Sequence, residues 1–176
     1  MICLFKTDMI IREAEEKDIG EIMAIVAQAK QYFRENGIPQ WQSEYPCADD
    51  IRKDIGHGGM VVEEDGQIIA YCFVAIMDDP NYAYIEGEWL NQRPYIVLHR
   101  TCVSSSCKGK GIGRLFTKYA KQMAQTAGIY DLRADTHEKN ASMRRMLEKD
   151  GFVECGTIYV ADGSPRVACQ LVLDER

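Results

Sequence analysis

The chain has no hydrophobic run long enough to cross a membrane as a helix, because its longest, residues 68–77, is about half of the ~20 residues such a span needs. It also lacks an excess of positive charge. With 21 Lys and Arg against 27 Asp and Glu the formal net charge is −6, which argues against nonspecific nucleic-acid binding and against docking on an anionic membrane. No Cys-x-x-Cys pair occurs and no histidine stands at zinc spacing from a cysteine, so no metal is expected. The seven cysteines, at positions 3, 47, 72, 102, 107, 155 and 169, are an odd and scattered set. They read as reduced thiols filling a core, which fits a cytoplasmic protein. Neither an internal repeat, a low-complexity stretch nor a polar linker divides the 176 residues, and that length suits one domain. Residues 1–5 are apolar, but Lys6 and Asp8 interrupt them too early for a signal peptide. Met9 offers an alternative start, and residues 1–8 are expected to be a disordered extension of a domain spanning 9–176.

What is present is organised around residues 95–127. An apolar run ending in Thr101, Cys102 and Val103 leads into Lys108-Gly109-Lys110-Gly111-Ile112-Gly113-Arg114 and then into an amphipathic segment. Ile112, Leu115, Phe116, Tyr119, Met123 and Ala127 recur at steps of three and four, which predicts a helix with one apolar face, and Gly128 suits its C-terminal stop. Three glycines in five positions let a ligand approach the backbone, and the first helical turn offers unpaired N–H groups to an anion. Lys108, Lys110 and Arg114 add local positive charge to an acidic protein. That combination favours a phosphorylated small molecule, although a plain tight turn with solvated lysines has the same pattern. It is neither a P-loop, which would end in Gly-Lys-Ser/Thr, nor the dinucleotide fingerprint, whose third glycine would fall on Arg114.

Around this centre the pattern predicts a strand over residues 9–14 and a helix entered through an Asp18/Glu21 capping box and carrying Ile19, Ile22, Met23, Val26, Ala29 and Phe33. An ordered loop follows over 38–46, then a short helix over 49–55. Residues 60–63 and 67–77 flank Asp65-Gly66, a hairpin signal, and the second strand is apolar on both faces, hence central. A polar, acidic excursion fills 78–93. A strand over 130–134, a helix over 140–149 and a final hairpin around Asp162-Gly163 complete a mixed α/β sheet with helices on both faces.

The glycine block resembles the acetyl-CoA signature Arg/Gln-x-x-Gly-x-Gly/Ala of the GCN5-related N-acetyltransferase superfamily, with Lys108 in place of the first Arg or Gln. A second block in the right order, Asp135-Thr136-His137-Glu138-Lys139-Asn140 followed by Leu147-Glu148-Lys149-Asp150-Gly151-Phe152, is similar to that family's strand, asparagine and Leu-Tyr-Glu-Lys-x-Gly-Phe segment. The resemblance covers most of the chain. It implies the acyl-CoA N-acyltransferase fold, a mostly antiparallel sheet, and acetyl-CoA as co-substrate. Its pyrophosphate would rest on Lys108, Gly109, Lys110, Gly111, Ile112, Gly113 and Arg114. Its pantetheine arm would lie beside Thr101, Cys102 and Val103, where an N–H can stabilise an oxyanion. Asn140 would touch the cofactor near the thioester, or serve only as a helix cap. The family permits a homodimer.

A lysine-like amine has a pKa of about 10.4 and must lose a proton before it can attack. His99 is the first candidate base, since strict alternation puts it on the face of Val97 and Thr101; Glu86 and His137 are held in reserve. Some relatives carry a glutamate base where this chain has Val97, and a tyrosine acid where it has Leu147. Leucine cannot donate a proton, so the thiolate leaves unaided or Tyr119, Tyr130 or Tyr159 substitutes. A small-molecule or peptide amine acceptor is expected to use Trp41, Tyr45, Glu86 and Trp89, with Asp78, Asp79 and Glu88 favouring a cation. Cys107, beside the loop, is read as incidental. A catalytically silent acyl-CoA sensor and an interaction domain with a structural glycine turn remain as other readings.

Overall fold

The computed structural model describes residues 9–174, so the expectation for residues 1–8 lies outside the described part. Twelve regular elements follow in order: β1 Met9–Glu13, α1 Ile19–Glu35, α2 Ala48–Asp54, β2 Gly59–Glu64, β3 Gln67–Ile76, β4 Glu86–Gly87, β5 Tyr95–Val103, α3 Arg114–Ala127, β6 Asp131–Thr136, α4 Ala141–Lys149, β7 Val153–Tyr159 and β8 Pro165–Val172. The eight strands form one sheet in the order β1-β2-β3-β5-β6-β8-β7-β4. Among the described residues β5 and β6 are its one parallel pair. The predicted architecture is therefore present, with strand β3 buried on both faces as its double apolar pattern requires.

One face carries α3 and α4, which press Phe116, Ala120, Ala124 and Leu147 onto Ile96, Leu98, Leu132 and Ala134. The other carries α1 and α2, with Ile22, Val26, Phe33 and Ile51 against Val61, Tyr71 and Cys102. Farther along that second face the excursion folds down, so that Tyr82 and Trp89 cover Phe73, Tyr95 and Val97.

Two local details differ from the sequence pattern. The buried stripe of α3 is centred on Phe116, Ala120 and Ala124, while Leu115, Tyr119 and Met123 flank it half-buried and Ala127 is exposed. Small residues at the centre let the helix seat closely on the sheet. Asp18 does not cap α1. Its carboxylate accepts instead from Arg12 at 2.7 and 3.0 Å and from the Glu15 N–H at 2.8 Å, and Glu21 reaches across to the Ile68 N–H at 3.0 Å. Both carboxylates thus tie helix α1 to the strands beneath it.

Candidate active site

The site arises where the parallel pair comes apart. Strands β5 and β6 are in register from Tyr95↔Asp131 to Leu98↔Ala134 and no farther, although each strand continues. Beyond that point β5 has no neighbouring strand on one side. Across β5, Phe73 pairs with His99 and Tyr71 with Cys102, so Cys72 alone faces both Arg100 and Thr101. This is a β-bulge, and it bends the strand. Arg100 adopts φ +56°, a left-handed conformation that a residue with a Cβ rarely holds unless other contacts fix it. Here its guanidinium donates twice to Asp54 of α2, from Nε at 2.8 Å and from Nη2, and once to the Tyr45 hydroxyl at 2.8 Å. The buried Tyr71 hydroxyl completes the shell of Asp54.

The bulge corrects the expectation that His99 shares a face with Thr101. His99 stays with Val97 on the α1 side, its ring parallel to Phe73 at 6.5 Å and edge-on to Tyr82 at 5.7 Å. Thr101 turns to the α3 side, where its hydroxyl lies 3.1 Å from the Cys72 thiol. Strict alternation fails because one extra residue separates the two positions.

A cavity of about 710 Å³ fills the gap between the parted strands. That volume suits a small-molecule site. Its walls come from the 38–46 loop, the end of β5, the end of β6, the start of α4 and the β7–β8 turn. Trp41, Tyr45, His99, Thr101 and Asn140 line it together. Glu86, Trp89 and His137 do not. Glu86 lies exposed on the edge strand, where it accepts from the Tyr159 hydroxyl at 3.0 Å. Trp89 is buried; its indole N–H donates to the Tyr82 carbonyl at 3.0 Å, and the Arg133 guanidinium stacks 4.1 Å from both its ring and that of Tyr95. His137 is buried too, its Nδ1 accepting from the Lys139 N–H at 3.1 Å. Burial, with help from Arg166, pushes its imidazole below the usual histidine range.

His99 stands in the cavity between two carboxylates. Its Nε2 lies 2.6 Å from Asp79 Oδ2, and its Nδ1 is 3.6 Å from Asp135 Oδ1. A carboxylate only accepts, so Nε2 carries a proton, and in the neutral imidazole the lone pair is therefore on Nδ1. The other oxygen of Asp79 accepts from the Asn81 N–H at 2.8 Å and its amide at 3.0 Å, and the Asp79 N–H donates to the Tyr95 hydroxyl. Burial works against the Asp79 charge, but His99 and the Asn81 donors outweigh it and hold the carboxyl below its ordinary range. Asp135 accepts from the Tyr82 hydroxyl at 2.7 Å; burial and that same carboxylate keep the phenol protonated and donating.

Asn140 realises its cap role, since its Oδ1 accepts from the Met143 N–H at 3.2 Å, while its amide donates to Thr136 at 3.1 Å. Gln40, absent from the predicted set, is buried beside it and accepts from the His137 N–H at 3.2 Å. Asp135 was visible only as part of a motif block. Neither Gln40 nor Arg166, another lining residue, stands in any pattern that marks it. Leu147 is 1 % exposed and packed in the core, and Tyr119, Tyr130 and Tyr159 lie outside the cavity.

In the glycine loop, Gly109 at φ +77° and Gly111 at φ +76° need glycine for the backbone turn, and a Cβ on either would meet open space. Gly113 has a different reason: a Cβ there would lie 2.8 Å from the Met146 sulfur, so its absence lets α3 approach α4. Among the described residues, the N–H groups of Lys108, Gly109, Gly111, Ile112 and Gly113 have no partner. Such a concave run of donors suits an anion. The cations beside it are not equivalent. Lys108 turns back over the Tyr32 ring at 3.8 Å, and Arg114 pairs with Asp150, which leaves Lys110 exposed and uncommitted among the described residues.

The sequence matches the family model for the Acetyltransferase (GNAT) family over residues 22–152. Among solved structures, a GNAT-family acetyltransferase from Streptococcus agalactiae is similar at a TM-score of 0.81 and 33% identity, over 95% of this chain and 96% of that one. A GNAT-family acetyltransferase from Listeria monocytogenes has a TM-score of 0.72 and 19% identity over 98% and 99% of the two chains. A Salmonella typhimurium protein, described as an acetyltransferase and solved with its cofactor acetyl-CoA, has a TM-score of 0.65 and 21% identity over 96% and 95%. The last two are alike in fold alone. No curated protein matches the sequence.

Proposed function

The chain belongs to the Acetyltransferase (GNAT) family, and on that premise we propose that it acetylates a primary amine held in the 710 Å³ cavity, with His99 Nδ1 accepting the amine proton. It is an acyltransferase, and the family's co-substrate is acetyl-CoA. Acetyl-CoA supplies the activated thioester carbonyl. The residues present fit it: five unpaired N–H groups around two left-handed glycines offer an anion a cradle that no side chain obstructs, and Lys110 adds a free cation. Thr101, Cys102 and Val103 belong to the part of β5 that has lost its parallel neighbour, which leaves an edge open for an extended arm.

The observation that carries the reading is the fixed imidazole. Asp79 holds His99 in the tautomer whose Nδ1 lone pair is free, and a second carboxylate, Asp135, stands near that nitrogen. An arriving ammonium is attracted by both carboxylates. Once Nδ1 takes its proton, the imidazolium lies between two negative charges that stabilise it. Leu147 can offer no proton to the departing thiolate. A thiol of pKa about 8.5 leaves as the anion at modest cost, so the reaction requires no acid there.

The experiment follows CoA-thiol release against a panel of amines, with acetyl-CoA affinity measured by calorimetry. Wild type is expected to release thiol with at least one amine class, and His99→Ala to lower kcat by about 10²-fold or more while acetyl-CoA still binds. Binding without release for any amine would favour a silent acyl-CoA sensor. Release undiminished in His99→Ala would remove His99 as the base.

A further inference from the structure

The cavity holds two arginines in opposite situations. Arg100 is consumed by Asp54 and Tyr45. Arg166, which pairs with Ile158 in the β7–β8 hairpin and lines the cavity, is only 7% exposed, yet among the described residues its guanidinium makes a single hydrogen bond, from Nη1 to the neighbouring Pro165 carbonyl at 2.8 Å. Among the described residues Nε and Nη2 have no partner, and no carboxylate forms an ion pair with it. Asp162, on the adjoining turn, directs an oxygen to the Ser164 N–H at 2.8 Å instead. Nε and Nη2 are not sealed in protein and still open to the cavity, with Asp162 of the same chamber the carboxylate that feels the guanidinium charge. The free nitrogens are the two on one edge of the guanidinium, at the spacing of a carboxylate's oxygens.

Resting on the acetyl-transfer reading, we infer that Arg166 binds a carboxylate of the acceptor, and that the acceptor is an amino carboxylic acid whose amine is directed to His99 and Asp135. The charges of the cavity are sorted accordingly, with Asp79 and Asp135 flanking the imidazole and an unpaired cation on β8. A monoanion suits Arg166 better than a dianionic phosphate or phosphonate, because Asp79, Asp135 and Asp162 line the same chamber and would repel the second charge.

The test compares kcat/KM for matched sets: free amino acids, their carboxamides, the corresponding amines without the carboxyl, and aminophosphonates. Amino acids are expected to exceed their carboxamides by about tenfold or more, the scale of a hydrogen-bonded charge. Arg166→Gln should bring that ratio close to one through KM, and Arg166→Lys should restore part of it, with acetyl-CoA affinity serving as the control for folding. Carboxamides as good as acids, or a preference for aminophosphonates, would overturn the inference and leave acetyl transfer standing. Should no amine release thiol, calorimetry of N-acetylamino acids against wild type and Arg166→Gln decides the arginine separately. Binding lost in the variant supports the site; equal or absent binding overturns it.

Discussion

Replacing Asp79 with asparagine changes one functional group and almost no volume, yet the structure predicts a reversal of the His99 proton. Asp79 Oδ1 accepts two bonds from Asn81, so an asparagine keeps its amide oxygen there and places its NH₂ where Oδ2 now meets His99 Nε2 at 2.6 Å. Two donors cannot face each other. Nε2 must therefore become the acceptor and the proton moves to Nδ1, the atom that has to receive the amine proton. A mispositioned base forfeits much of the ~10²–10⁴-fold that general base catalysis contributes, so kcat/KM is expected to fall by about 10²-fold with acetyl-CoA affinity unchanged. Stability should fall as well, by the ~1.5–3 kcal/mol of a hydrogen bond to a charged group, or about 3 °C of Tm per kcal/mol in a domain of this size. The sign with pH follows from the depressed Asp79 carboxyl: its contribution is present above its ordinary value of 3.8 and disappears as pH falls through the lower folded value. The stability gap between wild type and variant should thus be full at neutral pH and close in acid. Thiol-release kinetics and urea unfolding read both quantities. An Asp79→Asn enzyme within threefold of wild type, or a loss confined to acetyl-CoA binding, would refute the assignment of His99 and Asp79 as a unit.

Gly111→Ala is expected to weaken acetyl-CoA binding by about tenfold or more in calorimetry, while Gly66→Ala, at a comparable φ of +79° with open space around it, incurs a similar strain of about 1–2 kcal/mol and leaves that affinity intact. Leu147→Tyr should not restore a proton donor. The site is packed, so the larger ring is expected to lower stability by about 1–3 kcal/mol in denaturant unfolding without raising kcat. Because the folded pKa of His137 is depressed, protonation favours the unfolded chain; stability should be level above about pH 6.5 and decline below it, and His137→Asn should lessen that decline. Cys72, Cys102 and Cys169, their thiols pushed up to about 12 by burial, should resist alkylation in the native state at pH 7.5, with mass spectrometry locating modification, among the cysteines of residues 9–174, first at the less buried Cys47 and Cys155.

Much of this was legible from local pattern. The glycine loop, the helix it opens, the two-faced strand β3 and the closing hairpin each depend on neighbours within a few residues, and the observed elements keep those positions within a residue or two. The site depends on pairings that local pattern does not carry. His99 and Asp79 are 20 residues apart, Arg100 and Asp54 are 46 apart, and Gln40 and His137 are 97 apart. Trp89 is assigned by sequence to the acceptor site because it stands in a polar, acidic excursion, but Arg133 and Tyr82 draw it into the core. Lys108 stands by sequence in the loop's cationic cluster, and only the fold shows its ammonium over the Tyr32 ring. The face of Thr101 was missed for a simpler reason: no alternation rule counts an extra residue that only the partner strand reveals.

That extra residue acts as a wedge. Arg100 has no counterpart of its own opposite it on β3, and its bonds to Asp54 reward the chain for leaving the plane of the sheet. The bulge begins one residue beyond Leu98, where the β5–β6 ladder ends, so the strand leaves the sheet on the side where the chamber opens. What stands open to a substrate is a place from which a strand has been turned away.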